Sequence, residues 1–493
     1  MSSGGIFFDY PKRQSSDFGQ VHPHSINILT VYTPQSLSFS RSNHHTMLVS
    51  STFIAGISLL HLASAAPTLG SRGVGPTPAS PTGAGICTSG PVAITVQVDT
   101  TSISMKKPAD QGKLTGFLAN FWATGSSVMS QITSRKADGN SQKRRIEGTY
   151  NIWTQVCHPN GKEGQVPLIV GIHGINFDHS YWEFGYSKEY NFIEAANKAG
   201  YAVLTYDRLG VGQSDKPDGL SVVQSSTEVE ILHRHIQQAR ATGKYSRIWG
   251  IGHSFGLTGI AARYPSDLDA VILTGYAPSM VSVPLAFTAW SQTLASDQAD
   301  MATRSRWSSL PGGSAMMNDK SYMGTGSASS DRFAFFSEGF YDEDLGTGAF
   351  QRAYDTKQTH TLGEFLTIAE PVSKPASEYK GHVFVVTGEK DMQVCSIFCG
   401  GNCLQKPVKA PGNNLLDDTK VLYPKAASFT TLVPSGAGHA LFAHHSTDQH
   451  AEIKKVASKI QPKTSKVGSV ENRDGAVLLL LSRFVEEGNE VRS

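Results

Sequence analysis

The chain has 493 residues, 39% of them hydrophobic and 17% charged, with 43 Lys+Arg set against 41 Asp+Glu. That length holds a large core and about three average domains; the near-cancelling charge excludes a strongly basic nucleic-acid binder and an acidic solvated chain. Five cysteines in so long a chain exclude a small fold built on disulfides, which leaves a soluble, globular protein.

The first informative segment runs from Leu48 to Ala66. It carries no Lys, Arg, Asp or Glu and ends in Ala63-Ser64-Ala65-Ala66, which fits the small-residue cleavage pattern of a secretory signal. With Met47 as the start, residues 47–65 form a signal of ordinary length, and residues 1–46 read as an upstream extension that is not native to the protein. Secretion is therefore expected; if translation starts at Met1, the alternative is an uncleaved signal anchor. A Pro/Gly/Thr/Ser-rich linker over 66–89 follows, then the alternating, β-branched residues 92–99, which predict a strand. The polar stretch ending near Arg144 and Arg145 reads as an exposed turn before the next strand.

From Pro167 the pattern becomes regular. Apolar runs at 167–172, 201–206, 247–252, 270–275 and 382–388 each fit a buried parallel strand. Helices are predicted over 188–200 and 226–243, the second with Val229, Leu232, His233 and Ile236 on one face. Such alternation builds an α/β fold with a mostly parallel, doubly wound sheet. It breaks over 279–380, a segment rich in Phe, Trp, Tyr and Met that reads as a mainly helical cap inserted between two late strands. The core is thus expected in two parts, 90–278 and 381–493. The second holds a last strand at 428–435 and a polar, lysine-rich stretch near 453–473 that reads as an inserted loop or a retained intron.

The strongest chemical signal is Gly252-His253-Ser254-Phe255-Gly256, placed after an apolar strand and before a helix predicted over 257–265. A strand-to-helix turn this sharp crowds its flanks, so glycine on both sides lets the serine Oγ stand clear at the sheet edge. A serine hydroxyl needs a base held by an acid. Asp391 follows the strand that ends at Thr387, with Glu389 as the alternative acid, and His439 follows the last strand in Gly436-Ala437-Gly438-His439. The order Ser254, Asp391, His439, each just past a strand, points to a nucleophile, an orienting acid and a general base. His444 and His445 follow no glycine turn and read as surface residues. The oxyanion hole needs two N–H donors: the backbone of Phe255 is one candidate and that of Ile175, after Gly171-Ile172-His173-Gly174, is the other, with Asn176 in reserve. His173 is expected to tie this loop together.

The blocks GIHG, YDRLGVGQSD, GHSFG, TGEKD and GAGH resemble the recurring motifs of the α/β-hydrolase superfamily over roughly 165–445. The overall pattern is similar to its secreted fungal serine hydrolases, esterase- or lipase-like, with a cap domain. The resemblance implies hydrolysis of a carboxylic ester or lactone through a Ser-His-Asp triad, without metal or organic cofactor. A peptidase, an acyltransferase and a non-catalytic binding module on the same fold are the alternatives. Epoxide hydrolases and dehalogenases of the superfamily carry an Asp nucleophile, and Ser254 speaks against both. The expected partner is a small-molecule ester or lactone; neither nucleic acid nor, apart from a signal anchor, membrane is expected.

Other patterns carry less. Gly210-Val211-Gly212 lacks the third glycine of a dinucleotide loop. Cys395, Cys399 and Cys403 do not match a zinc or iron–sulfur spacing and read as disulfide partners, with Cys87 and Cys157 completing five; the pairing is not deducible. His233 and His235, two apart on a helix, point in different directions. No N-glycosylation sequon is present. The aromatic cap, with Phe287, Trp290, Trp307, Tyr322, Phe333 and Phe335 among its large residues, is expected to form its own core and to line an entrance suited to an apolar or aromatic substrate.

Overall fold

A computed structural model describes residues 84–124, 132, 142–162, 165–184, 190–257, 259–278, 282–343, 348–371, 374–395 and 402–445. The signal-like segment, the insertion near 453–473 and Cys399 lie outside the described residues.

Two long strands open the fold, β1 (Gly85–Thr101) and β2 (Lys143–Pro159), paired antiparallel in a register that sets Cys87 opposite Cys157. These two cysteines are disulfide-bonded. β1 begins inside the stretch expected as linker, and Arg144 and Arg145 lie within β2 rather than in a turn. The reason is the partner strand: β2 continues as far as β1 offers backbone groups to pair, and polar side chains at an exposed end do not oppose that.

The remaining strands of the main sheet are β3 (Val166–Ile172), β4 (Ala202–Tyr206), β5 (Tyr245–His253), β6 (Ala270–Thr274), β10 (His382–Val386) and β11 (Ser428–Leu432). The order across the sheet is β1-β2-β4-β3-β5-β6-β10-β11, parallel from β4 to β11. Their apolar runs have a direct physical cause. In β10, Val383 and Val385 pack into one core cluster and Phe384 and Val386 into another, so both faces are covered and no polar position is left. The register aligns Ile172 with Gly252, His253 with Thr274, Thr274 with Val386, and Val386 with Leu432. The loops after β3, β5, β10 and β11 therefore leave the sheet from one edge.

The segment between β6 and β10 holds six short α-helices, one 3-10 turn and a three-stranded sheet of β7 (Thr293–Leu294), β8 (Tyr322–Gly324) and β9 (His360–Thr361) among the described residues. A helix absent from the predicted set, Gln111–Thr124, joins it: Phe121 and Trp122 pack on Phe287 and Phe365, and the Gln111 side chain bonds the backbone of Gln292 and Leu294. Leu114, Phe117, Leu118, Phe121 and Trp122, spaced three and four apart, form its apolar face, and Leu114 and Leu118 are buried in the core. The predicted helices shorten to Phe192–Lys198 and Ser225–Ala241, and of the described residues in the helix predicted over 257–265, Ile260–Arg263 are helical, preceded by Gly259 at φ +88°.

Candidate active site

Ser254 follows the last residue of β5 at φ +54°, the left-handed region that non-glycine residues avoid at a cost of about 1–3 kcal/mol. Its N–H donates to the Thr274 carbonyl at 2.7 Å, which braces the turn. A Cβ on Gly252 would stand 2.1 Å from Leu257 Cβ, and one on Gly256 would stand 2.5 Å from the Ile172 carbonyl oxygen. Glycine is thus required on both sides of Ser254.

Asp391 lies in the turn after β10. Its Oδ1 accepts the N–H groups of Gln393 at 2.9 Å and Val394 at 3.3 Å, while Oδ2 lies 2.7 Å from His439 Nδ1. Both side chains are buried. With Nδ1–H donating to the carboxylate, Nε2 is the nitrogen left to exchange a proton. Ser254 and His439 line the same cleft. Gly275, at φ +59°, keeps the floor open, since a Cβ there would come within 3.2 Å of His439 Cε1. Glu389 does not substitute for Asp391: its carboxylate accepts from the Ser435 hydroxyl and the Gly436 N–H and so braces the turn that leads to His439.

On the other side of Ser254 lies the loop after β3. A Cβ on Gly174 would stand 3.2 Å from Ser254 Cβ, so the loop backbone rests against the serine. Ile175 and Phe255 both line the cleft. Among the described residues the Ile175 N–H donates to no acceptor. His173 ties the loop to the neighbouring strand end: one ring nitrogen bonds the Gly174 carbonyl at 2.8 Å, and the other accepts the Arg208 N–H at 3.0 Å. Burial and the Arg208 charge push His173 down to about 3, so it stays neutral. Asn176 takes φ +77° and is buried.

The cleft is walled by Val283, Phe287, Trp290, Ile368 and Val394, with Gln393 as a polar neighbour of the triad-like residues. Among the described residues no Asp, Glu, Lys or Arg lines it. Phe287 and Trp290 face the cleft as expected, whereas Trp307 and Tyr322 form a separate core within the cap and Phe333 is exposed.

One histidine departs from its expected place. His444 is buried, accepts the Ser337 N–H at 3.0 Å and bonds the Ala440 carbonyl at 2.8 Å through its other nitrogen. It is not a surface residue, because the cap folds over it, and burial lowers it to about 4. His233 pairs with Asp267 at 2.7 Å while His235 lies tilted against the Tyr206 ring, so the two do diverge.

Asp178, His179 and Asp207 converge closely enough to invite comparison with a metal site. Protein donors already occupy them: Asp207 accepts from the His179 N–H, the His179 ring and the Gln213 N–H, and Asp178 from the Ser180 N–H and the Gln358 amide. Burial opposes the charge on His179, but the adjacent Asp207 outweighs it and lifts the imidazole to about 9. Four cysteines form the pairs Cys87–Cys157 and Cys395–Cys403.

Residues 169–453 match the Alpha/beta hydrolase family. Among solved structures, the chain is similar to a bromoperoxidase from Bacillus anthracis, with 19% identity and a TM-score of 0.35 over 64% of this chain and 95% of that one. It is also similar to Est1E from Butyrivibrio proteoclasticus bound to ferulic acid, with 14% identity and a TM-score of 0.34 over 63% and 95%. An epoxide hydrolase from Bacillus megaterium matches with 15% identity and a TM-score of 0.35 over 62% and 96%. No curated protein sequence matches the chain.

Proposed function

The chain belongs to the alpha/beta hydrolase family, and on that premise we propose that it is a secreted serine hydrolase cleaving a carboxylic ester or lactone with an apolar or aromatic part. The observation that carries the proposal is Ser254, held at φ +54° at the mouth of β5, sharing one cleft with a His439 whose Nδ1 lies 2.7 Å from Asp391.

In this reading the Ser254 oxygen attacks the substrate carbonyl carbon and its proton passes to His439 Nε2. Asp391 orients the imidazole and stabilises its cation. The carbonyl oxygen becomes an oxyanion facing the N–H groups of Phe255 and Ile175, each such donor lowering the barrier by on the order of 3 kcal/mol. Collapse breaks the C–O bond, and His439 gives its proton to the leaving alcohol. Water then attacks the acyl-serine with His439 as base, releasing the acid and restoring Ser254. The uncharged cleft wall, with Phe287 and Trp290, favours a neutral, apolar group beside the carbonyl.

Secretion rests on the signal-like segment, with two disulfides as support, since such bonds persist in oxidising compartments. No helix among the described residues is long and apolar enough to cross a membrane.

Fluorophosphonate labelling followed by peptide mass mapping tests the mechanism. The expected result is one adduct, on Ser254, lost in His439→Ala. A folded protein that takes no adduct overturns it. Panels of esters, lactones and peptides, with alcohol acceptors added, then separate an esterase from a peptidase or an acyltransferase.

A further inference from the structure

Every polar group of the Asn176 side chain, and its carbonyl, is held by residues of the segment between β6 and β10. Asn176 Nδ2 donates to Asp331 Oδ1 at 2.9 Å, its Oδ1 accepts from the Thr325 hydroxyl at 3.3 Å, and its backbone carbonyl accepts the Gln358 N–H at 3.0 Å. Lys357 completes the set. Its Nζ lies 3.5 Å from Asp331 Oδ2, donates to the Thr325 carbonyl at 3.1 Å and stands 4.3 Å above the Tyr354 ring. Asn176, Asp331 and Lys357 are all essentially inaccessible, at 3%, 3% and 0% exposure.

A buried ion pair is a poor way to gain stability, because the desolvation cost offsets most of the attraction and a well-packed apolar pair does as well. An ionised carboxylate is, however, a strong and directional acceptor for an amide N–H. Asp331 therefore suits the task of holding one side chain in one place. That side chain belongs to a residue in the left-handed conformation, next to Ile175, whose own N–H has no acceptor among the described residues. The helix that carries Asp331, Ala328–Phe335, also reaches the opposite side of the cleft, where the Phe335 carbonyl accepts the Ala440 N–H at 2.8 Å, one residue beyond His439.

We propose that Asp331, neutralised by Lys357, is a positioning residue for the oxyanion loop: through Asn176 it sets the Ile175 N–H, so that the cap shapes the transition-state site as well as roofing it. This rests on the reading of Ser254 as nucleophile and Ile175 as oxyanion donor.

Asn176→Gly tests it in the full chain, because glycine accepts φ +77° without strain and only the side-chain strap is lost. Asp331→Leu combined with Lys357→Met is the second variant, removing both charges together so that neither is left buried alone. For each, the rate of fluorophosphonate labelling at Ser254, kcat and KM on an ester, and affinity for a trifluoromethyl ketone are measured, with thermal unfolding as the control. The expected result is a fall of about 10–100-fold in labelling rate and kcat. Ketone affinity should weaken by a matching factor, with KM within about twofold and the acidic limb of the pH–rate profile unmoved. Labelling and kcat unchanged in folded Asn176→Gly would overturn the positioning role, as would a loss expressed only in KM. An unlabelled wild type would instead overturn the hydrolase reading beneath it.

Discussion

The two sides of the cleft are held by different means. On the acid–base side, Asp391 receives N–H groups from Gln393 and Val394, two and three residues on, and its turn is closed by a disulfide between Cys395 and Cys403. Glu389 braces the turn before His439, and both turns leave adjacent parallel strands in register. On the side proposed to hold the oxyanion, the loop after β3 hangs on partners far along the chain: Asp331 lies 155 positions from Asn176 and Thr325 lies 149. One half is built by short turns on a rigid sheet. The other is completed only when the cap has folded against it. Local turns set the first half, which the cap then touches at the Gln393 amide, the Ala440 N–H and His444, whereas the side chain that straps the second has its partners in the cap alone.

Four experiments sharpen that contrast, beginning with the largest effect. Ser254→Ala should reduce ester turnover by roughly 10⁶-fold with the thermal unfolding midpoint essentially unchanged, because the side chain lost is small and faces the cleft; a purified variant that keeps activity ends the mechanism. Asp391→Asn should lower kcat by roughly 10⁴-fold. The amide can still accept from Gln393 and Val394 but no longer presents a carboxylate to His439, so single-turnover kinetics should show slow acylation in an intact fold.

The disulfides separate stability from activity. Opening Cys87–Cys157 with two serines closes no turn near the cleft; over a separation of 70 residues it should cost about 4 kcal/mol in chemical denaturation and leave kcat in place. Opening Cys395–Cys403, separated by 8, should cost about 2–3 kcal/mol and lower kcat as the Asp391 turn slackens. Equal effects of the two on kcat would contradict the local account of the acid–base side.

The smallest effect concerns the seam between cap and histidine loop. Burial lowers His444 to about 4 from its ordinary 6.5, so between those values the unfolded chain binds a proton that the native state does not. The stabilising contribution is therefore full above about pH 6.5 and is lost as pH falls through about 4, with a slope of up to about 1.4 kcal/mol per pH unit. Urea midpoints measured across this range should show that slope reduced by one proton in His444→Gln; an unchanged slope would place the buried titration elsewhere.

The buried strands were legible in the sequence because a parallel strand covered on both faces has no polar position, so 167–172, 201–206 and 270–275 stand out as unbroken apolar runs. Ser254 was legible for a similar reason: the flanking glycines are imposed by atoms 2.1 and 2.5 Å from where a Cβ would sit, and that constraint reaches the sequence as a pattern. Helix Gln111–Thr124 is passed over within a stretch that reads as polar, although Leu114, Phe117, Leu118, Phe121 and Trp122 carry helical spacing; the polar residues after it, up to Arg145, mask a short apolar stripe. The burial of His444 was not legible, since its neighbours Ser337 and Ala440 give no local sign that the cap will cover it.

What the sequence by itself determined is the sheet, the order of its loops and the three residues that leave its edge, since each depends on contacts within a strand and the turn after it. The tertiary structure alone decided which cap residues matter to the site. Nothing in the sequence marks Asp331 or Lys357, and no spacing links them to Asn176. Their pairing arises because the cap lies over the loop after β3, where water is excluded and a charge must find its partner.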